Sequence, residues 1–162
     1  LAQKEVTAIR DALIKKYPEK KAVFEKNTVA YLEKLTALDK EYQAAFAGAK
    51  NRTFVTQHAA FGYLAKQYGL TQEPIAGISP DQEPSPSRLA ELKKYIKTNN
   101  VSVIYLEASA STKVAKTLAD ETGVELAVLN PLESLTQKEQ EAGENYVSVM
   151  KENLAALQKS IH

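Results

Sequence analysis

The alternation of strand-like and helix-like segments is the feature of this sequence that most restricts its fold. From residue 49 to the end, short apolar runs are each followed by a segment with apolar residues three and four positions apart. The strand-like runs are 53–56, 74–78, 101–106 and 126–129. Such a β-α repeat forms a parallel sheet with right-handed crossovers and helices on both faces. The sequence therefore predicts an α/β fold with a four-stranded parallel sheet.

Two helical patterns precede this alternation. Residues 2–17 place their apolar side chains on one stripe, and Pro18 ends the pattern. From Lys20 to Phe46 there is no Gly or Pro, and apolar residues recur at steps of three and four. At a rise of 1.5 Å per residue this helix would be roughly 40 Å long, more than a small domain needs. A coiled coil or a spine between two lobes would explain it, and the single copy ahead of an α/β pattern favours the spine.

Composition excludes several classes of protein. Lys and Arg number 21 against 20 Asp and Glu in 162 residues, a net charge of +1, so nucleic acid is not an expected partner. The longest apolar runs are too short to span a membrane, and the absence of Cys excludes disulfides, thiol catalysis and Cys-ligated zinc. Leu1 already lies inside a helical pattern, without an initiator Met or a signal peptide. We therefore expect a part of a longer protein.

His58 is the first candidate for a functional residue. It is the only histidine apart from His162, and it follows the first predicted strand at the start of a helix predicted over 59–68. Open α/β sheets bind their ligands at this edge, where the strands end. Position alone does not assign a function, because a single histidine at a helix start is most often a cap or a surface group.

The other predicted strands end in acidic or hydroxyl residues, and all these strand ends meet at one edge of a parallel sheet. The residues are Ser79 with Asp81 and Glu83, then Glu107, then Glu133. An imidazole with a carboxylate suits a divalent metal such as Zn²⁺, with ligand distances of about 2.0–2.2 Å. A closed tetrahedral site needs four ligands, so the remaining donors would have to come from another part of the protein. The pattern does not choose the carboxylate that accompanies His58, and each one singly is most often a solvated charge.

Catalytic motifs are weak. Ser79 has Gly77 two places before it but Asp81 two places after it, so the second glycine of a nucleophile elbow is lacking. The glycines are scattered singly, and no glycine-rich phosphate loop occurs. A small α/β enzyme that uses His58 with Glu133 or Asp81 as an acid/base pair stays open as an alternative.

Five blocks of the sequence resemble one family of proteins. They are FVTQHAAFGYLAKQYGL, GISPDQEPSPSRLAEL, VIYLE, VLNPLESLT and GENYVSVMKENLAAL. They resemble the metal-binding solute-binding proteins of bacterial ABC importers, and most of all the zinc branch of the ZnuA/AdcA type. In that family one long helix joins two α/β lobes, and the metal lies in the cleft between them. The resemblance implies the end of a linking helix from a missing amino-terminal lobe at 1–18, an interlobe spine helix at 19–48, and the carboxyl-terminal metal-binding lobe at 49–162.

The resemblance also implies a set of metal ligands. His58 and Glu133 match the two ligands that this lobe supplies in the family, and two further histidines would come from the amino-terminal lobe. Glu107 is not a ligand in the family, so we expect it beside the ligands or at the rim of the cleft. The other residues expected in such places are Ser79, Asp81 and Glu83. A histidine at position 58 fits Zn²⁺ better than Mn²⁺, because imidazole is the softer donor.

The function that the resemblance implies is that of a receptor and not of an enzyme. The protein would be an extracytoplasmic zinc-binding component that delivers metal to the permease of an ABC importer. It would be lipid-anchored at the cell surface or periplasmic, with its signal segment outside this chain. Zinc binding should weaken in acid, where imidazole takes up a proton. A manganese- or iron-specific member of the same family is the alternative within this class.

A last expectation concerns self-association. Without its other lobe, the spine helix would expose part of its apolar stripe, and exposed apolar area promotes association. The side chain expected to lie partly bare is Tyr31, Leu35, Leu38 or Tyr42. The sequence therefore predicts homodimers that depend on concentration, or domain swapping.

Overall fold

The computed structural model describes residues 1–79, 82–107 and 112–162. The chain divides into two compact units, Leu1–Ala44 and Ala45–His162. The first unit contains α1 (Ala2–Lys16), a short 3₁₀ helix (Pro18–Lys20) and most of α2 (Lys21–Phe46), whose last residues belong to the second unit. No helix in these described ranges is long and apolar enough to cross a membrane.

The second unit is an α/β domain with a parallel sheet. Its elements are β1 (Thr53–Thr56), α3 (Gly62–Tyr68), β2 (Thr71–Pro74), α4 (Pro86–Thr98), β3 (Val103–Leu106), α5 (Lys113–Thr122), β4 (Glu125–Val128), α6 (Gln137–Glu141) and α7 (Tyr146–Leu157). The four strands are ordered β2-β1-β3-β4, and every neighbouring pair is parallel. The predicted α/β class and the four-stranded parallel sheet are therefore confirmed.

One face of the sheet packs against α4 and α5. Val55 of β1 and Ile104 of β3 are completely buried in an apolar cluster. Leu92 and Ile96 of α4 and Leu118 of α5 belong to the same cluster. Burial of such side chains stabilises the unit by about 1.5–3 kcal/mol for each residue.

The opposite face packs against the carboxyl-terminal helix. Because side chains alternate along a strand, Phe54 and Tyr105 point away from the cluster under α4 and α5. Their rings meet edge to face with centroids 6.3 Å apart. The hydroxyl of Tyr105 donates to the carbonyl oxygen of Ala156 in α7 at 2.9 Å. Helices therefore cover both faces, as the alternation predicted.

The second strand differs from its predicted position. The sequence predicted a strand near 74–78, but β2 spans Thr71–Pro74 and is an edge strand. Gly69 ends α3 in a left-handed conformation with φ of 64°, and the chain enters the sheet two residues later. The buried apolar pair Ile75 and Ala76 follows the strand, where the two backbone N–H groups donate to the carbonyl oxygens of residues 56 and 57. The apolar signal therefore marked the residues after the strand.

Helix α2 is close to its predicted bounds, and one residue of its apolar stripe lies partly bare. Tyr31 is partly exposed, whereas Leu35, Leu38 and Tyr42 are buried. An apolar stripe with steps of three and four is the face that a helix buries. The expectation that one or another of these four residues lies partly bare is met by Tyr31, and the dimer stays a prediction.

Candidate metal site

His58 lies just past the end of β1, in a bend before α3. The predicted helix over 59–68 begins later than expected, at Gly62, so His58 is in a loop and not at a helix start. Only 2% of its surface is exposed. Its carbonyl oxygen accepts hydrogen bonds from Oγ1 of Thr56 at 2.7 Å and from Nε2 of Gln72 at 3.0 Å. Two neighbouring strands therefore fix the backbone that carries the imidazole.

The imidazole is paired with a buried carboxylate on its Nδ1 side. Oε1 of Glu107 lies at Nδ1 of His58, and the glutamate is 3% exposed. The pairing follows from the register of the sheet, since Val55 is opposite Ile104 and Thr56 is opposite Tyr105. Continuing that register by two residues brings position 58 opposite position 107. With Nδ1–H donating to Glu107, Nε2 keeps its lone pair.

Glu133 lies on the other side of the ring. Its Oε1 atom is 3.4 Å from Nε2 of His58, and its side chain is 62% exposed. This distance is long for a hydrogen bond from nitrogen to oxygen, which is usually about 2.9 Å. Two ligands about 2.1 Å from a tetrahedral zinc ion are about 3.4 Å apart. The separation therefore matches that of two donors on one tetrahedral metal.

The remaining candidates lie outside this pair. Ser79 and Glu83 are exposed, and in the described part of the chain no hydrogen bond or ion pair joins either side chain to His58 or Glu133. Asp81 lies outside the described residues. Across 1–79, 82–107 and 112–162, no group of three or more His, Asp or Glu side chains is arranged to hold a metal ion. Of the candidates among the described residues, Glu133 and Glu107 flank the imidazole of His58, on its Nε2 and Nδ1 sides respectively.

Sequence reasoning missed several residues that hold this pair. Thr56 and Gln72 fix the backbone at His58, and Asn153 on α7 fixes the loop that carries Glu133. Polar residues at strand ends could have drawn attention to Thr56. Nothing in the local sequence around Asn153 marks it, because its partner lies 23 residues away.

The second unit is thus a parallel α/β unit that brings an imidazole and a carboxylate together where its strands end, which is where open α/β sheets bind their ligands. Residues 1–160 match the family model described as ZnuA, the periplasmic component A of the zinc-uptake complex. The chain belongs to this family. The family is one of solute-binding receptors of zinc transport and not of enzymes, which removes the acid/base enzyme alternative.

Named relatives are similar over nearly the whole chain. The zinc-binding lipoprotein AdcA of Streptococcus pneumoniae is 57% identical over 98% of the chain and 32% of its own length. The high-affinity zinc uptake system protein ZnuA of Bacillus subtilis is 53% identical over 99% of the chain and 50% of its own length. The crystal structure of the Zn(II)-bound ZnuA-like domain of Streptococcus pneumoniae AdcA has 56% identity and a TM-score of 0.80, over 94% of this chain and 57% of that one. The chain thus spans a third to a half of these curated relatives.

Proposed function

We propose that this chain forms the carboxyl-terminal lobe and spine helix of an extracytoplasmic zinc receptor that serves an ABC importer. Residues 1–18 would be the end of the helix that links it to an amino-terminal lobe, 19–48 the spine, and 49–162 the metal-binding lobe. Zinc is the cargo, so binding makes and breaks no covalent bond. The permease of the importer would receive the metal.

The observation that carries this proposal is the 3.4 Å separation between Nε2 of His58 and Oε1 of Glu133. Two lone-pair donors at this distance repel one another unless a cation or a proton lies between them. A shared zinc ion satisfies both donors at ordinary ligand distances. The carboxylate of Glu107, on Nδ1, would hold the imidazole in the tautomer that binds metal through Nε2.

The relatives support the identity of the metal. Those reported above are named as zinc-binding or zinc-uptake proteins, and the aligned crystal structure holds Zn(II). Imidazole donors favour Zn²⁺ over Mn²⁺, which prefers oxygen ligands. The names also support an extracytoplasmic location, at the cell surface as a lipoprotein or in the periplasm.

The number of donors supports a divided site. A tetrahedral zinc ion needs four ligands, and His58 and Glu133 supply two. We assign the other two to histidines of an amino-terminal lobe, so that the ion would lie between the lobes. The arrangement would couple metal binding to the closure of one lobe on the other.

Zinc titration against a competing chelator tests this division. The chain alone should bind zinc weakly, whereas the two-lobed protein should bind it far more tightly. The chain should carry His162→Gln and no affinity tag, so that His58 is its only imidazole. The substitution is better than deletion, because the carbonyl oxygen of His162 accepts hydrogen bonds from the N–H groups of Lys50 and Asn51, each at 2.8 Å. Nanomolar zinc binding by this variant alone would overturn the divided site.

Substitution of the histidine tests the ligand itself. In the two-lobed protein, His58→Ala should abolish tight zinc binding and leave the circular dichroism spectrum of the folded protein in place. Unchanged zinc affinity would remove His58 from the site. The same titrations with Mn²⁺ and Fe²⁺ distinguish a zinc receptor from a manganese- or iron-specific member, which would bind those ions more tightly than zinc.

A homodimer through α2 is a further proposal, and only a few apolar side chains of this helix are exposed to form it. Tyr31 is partly exposed and Val23 and Val29 are exposed on this helix, whereas Leu35 and Leu38 are buried. Sedimentation velocity over a range of concentrations tests it. A strictly monomeric profile would contradict the dimer and leave the zinc proposal untouched.

A further inference from the structure

The loop that carries Glu133 has no regular secondary structure, yet polar contacts hold it at both ends. It runs from the end of β4 to the start of α6, over residues 129–136. The Glu133 side chain is 62% exposed, so packing around the carboxylate itself does little to keep it near His58. The residues that fix the loop therefore determine where this carboxylate is presented.

The first anchor is the side chain of Asn153 on α7. The N–H group of Leu129, just after β4, donates to the carbonyl oxygen of Leu106 at the end of β3, at 2.9 Å. The alternation of backbone groups along a strand directs those of the next residue, Asn130, to the opposite edge, where β4 has no strand neighbour among the described residues. There the amide of Asn153 accepts from the N–H of Asn130 and donates to its carbonyl oxygen, both at 2.8 Å. A buried side chain, 3% exposed, thus takes the place of a neighbouring strand.

The side chain of Asn130 holds the next part of the loop, up to the residue before Glu133. Oδ1 of Asn130 accepts from the N–H of Leu132 at 2.8 Å. Leu132 has φ of 64°, a left-handed conformation that a leucine adopts only when its surroundings impose it. Pro131, between them, has its φ fixed by its ring. The backbone from 130 to 132 is therefore fixed, and it sets the direction from which the Glu133 side chain leaves the loop.

The far end of the loop is also bound to Asn130, through Glu139. Nδ2 of Asn130 donates to Oε1 of Glu139 at 3.3 Å. The other oxygen of Glu139 accepts from the N–H and the hydroxyl of Thr136, at 2.6 Å and 2.7 Å. The loop is thus closed around Asn130, with Glu133 midway between its two tied ends.

We propose that Asn153 is a positioning residue for zinc binding, which acts through Asn130 to present the carboxylate of Glu133 to the metal. This role rests on the function proposed above. A loop that is already ordered before the metal arrives loses less conformational entropy on binding than a mobile one. Loss of residues that orient metal ligands typically costs about 10-fold to 100-fold in metal affinity.

The test uses the two-lobed protein with Asn153→Leu, which keeps the branched shape of the side chain and removes both hydrogen bonds. Zinc affinity should fall about 10-fold to 100-fold. Tyr105→Phe is the matched control, because it removes hydrogen bonds from β3 to Ala156 of the same helix α7 and to Ser160 after it, without touching the loop. It should lower the unfolding temperature and leave zinc affinity unchanged.

A double-mutant cycle separates positioning from general loss of structure. In a Glu133→Gln background, Asn153→Leu should cost little further zinc affinity, while its effect on the unfolding temperature persists. Co²⁺ bound in place of zinc reports the ligand set directly, and the absorption spectrum of Asn153→Leu should approach that of Glu133→Gln. If Asn153→Leu costs the same affinity in both backgrounds, the proposal is wrong.

Two more outcomes are decisive. If Glu133→Gln weakens zinc binding but Asn153→Leu does not, the positioning role fails and the zinc site stands. If Glu133→Gln leaves zinc affinity unchanged, the ligand assignment fails, and the positioning role fails with it. Should Asn153→Leu not fold, Glu139→Gln on the exposed helix α6 loosens the other end of the loop and must then show the same coupling to Glu133.

Discussion

Nδ1 of His58 and the carboxylate of Glu107 form a buried pair that joins the ends of β1 and β3. The pair leaves Nε2 as the ring nitrogen that faces Glu133. A histidine that binds metal through one nitrogen commonly donates from the other to a carboxylate, which fixes its tautomer and its orientation. Glu107 would therefore support the site without touching the metal.

Substitution of Glu107 should weaken zinc binding, and the loss should be smaller where the new side chain still offers an acceptor oxygen to Nδ1–H of His58. Glu107→Leu removes the acceptor and should lower the zinc affinity of the two-lobed protein about 10-fold to 100-fold. Glu107→Gln keeps a carbonyl oxygen for Nδ1–H and should cost less. Chelator competition measures both, with Glu121→Gln, at an exposed ion pair on α5, as the control. Equal affinity of Glu107→Leu and the unsubstituted protein would show that the pair has no part in binding.

Arg52 links two helix ends, and its removal should destabilise the second unit. Its guanidinium donates to the carbonyl oxygen of Phe46 at the end of α2, at 2.8 Å, and to that of Tyr68 at the end of α3, at 3.2 Å. Carbonyls at helix ends lack partners within the helix, and a cation there also interacts favourably with the helix dipole. Arg52→Ala should lower the free energy of unfolding by about 2 kcal/mol.

Arg52→Lys distinguishes the geometry of the contact from its charge. A lysine has one ammonium group and cannot reach both carbonyls as the planar guanidinium does, so it should restore only part of the stability. Urea unfolding followed by circular dichroism measures both variants. Full stability in Arg52→Lys would mean that charge alone is responsible.

The alternation of patterns was sufficient for the fold but not for the bounds of the edge strand. Strands β1 and β3 are apolar because helices cover them on both faces, so their sequences are distinctive. The edge strand β2 has the sequence Thr-Gln-Glu-Pro, which carries no apolar signal. The nearest apolar residues, Ile75 and Ala76, drew the predicted strand towards the carboxyl end. Ile75 is buried because it joins the apolar cluster under α4 and α5, which is a tertiary effect that no local pattern shows.

The candidate site was only partly accessible to sequence reasoning. Parallel strands gather their ends at one edge, and this placed His58, Glu107 and Glu133 in the same neighbourhood. The choice of Glu133 came from the resemblance to a family and not from the pattern. Glu107 was expected beside the ligands or at the rim, and the structure buries it against His58 because the register of β1 and β3 brings 58 opposite 107. β1 and β3 pair directly although α3, β2 and α4 separate them in sequence, so local sequence does not encode their register.

The capping carboxylate of Glu139 should contribute a stability that acid removes. Hydrogen bonds from the side chain and backbone of Thr136 hold the pKa of Glu139 below its ordinary value of 4.5. Since the folded chain favours the ionised form, the contribution is complete above pH 4.5 and is lost as the pH falls through the lower folded value. Glu139→Gln should therefore be less stable than the unsubstituted chain at pH 7, and the difference should disappear in acid.

Thermal unfolding between pH 7 and pH 3 measures this difference. The control is Glu141→Gln, since Glu141 lies on the same helix and only accepts a hydrogen bond from Gln137. A stability difference for Glu139→Gln that stays constant down to pH 3 would exclude a role for the carboxylate charge in the cap.

The phenol of Tyr105 should make the chain sensitive to alkali. Burial raises the pKa of Tyr105 to about 12, although the hydrogen bond with Ser160 opposes the shift. Because the folded chain keeps the phenol protonated where the unfolded chain ionises it, its contribution is complete below pH 10.0 and is lost as the pH rises to about 12.

At pH 7, Tyr105→Phe should lower the free energy of unfolding by about 1–2 kcal/mol, because Ala156 and Ser160 lose a partner. Denaturant unfolding of both proteins from pH 8 to pH 11 should show this difference shrinking above pH 10, whereas Tyr63→Phe, at a tyrosine that is 78% exposed, should show no difference at any pH. A difference between Tyr105→Phe and the unsubstituted chain that stays constant to pH 11 would show that ionisation of the Tyr105 phenol does not remove its contribution to stability.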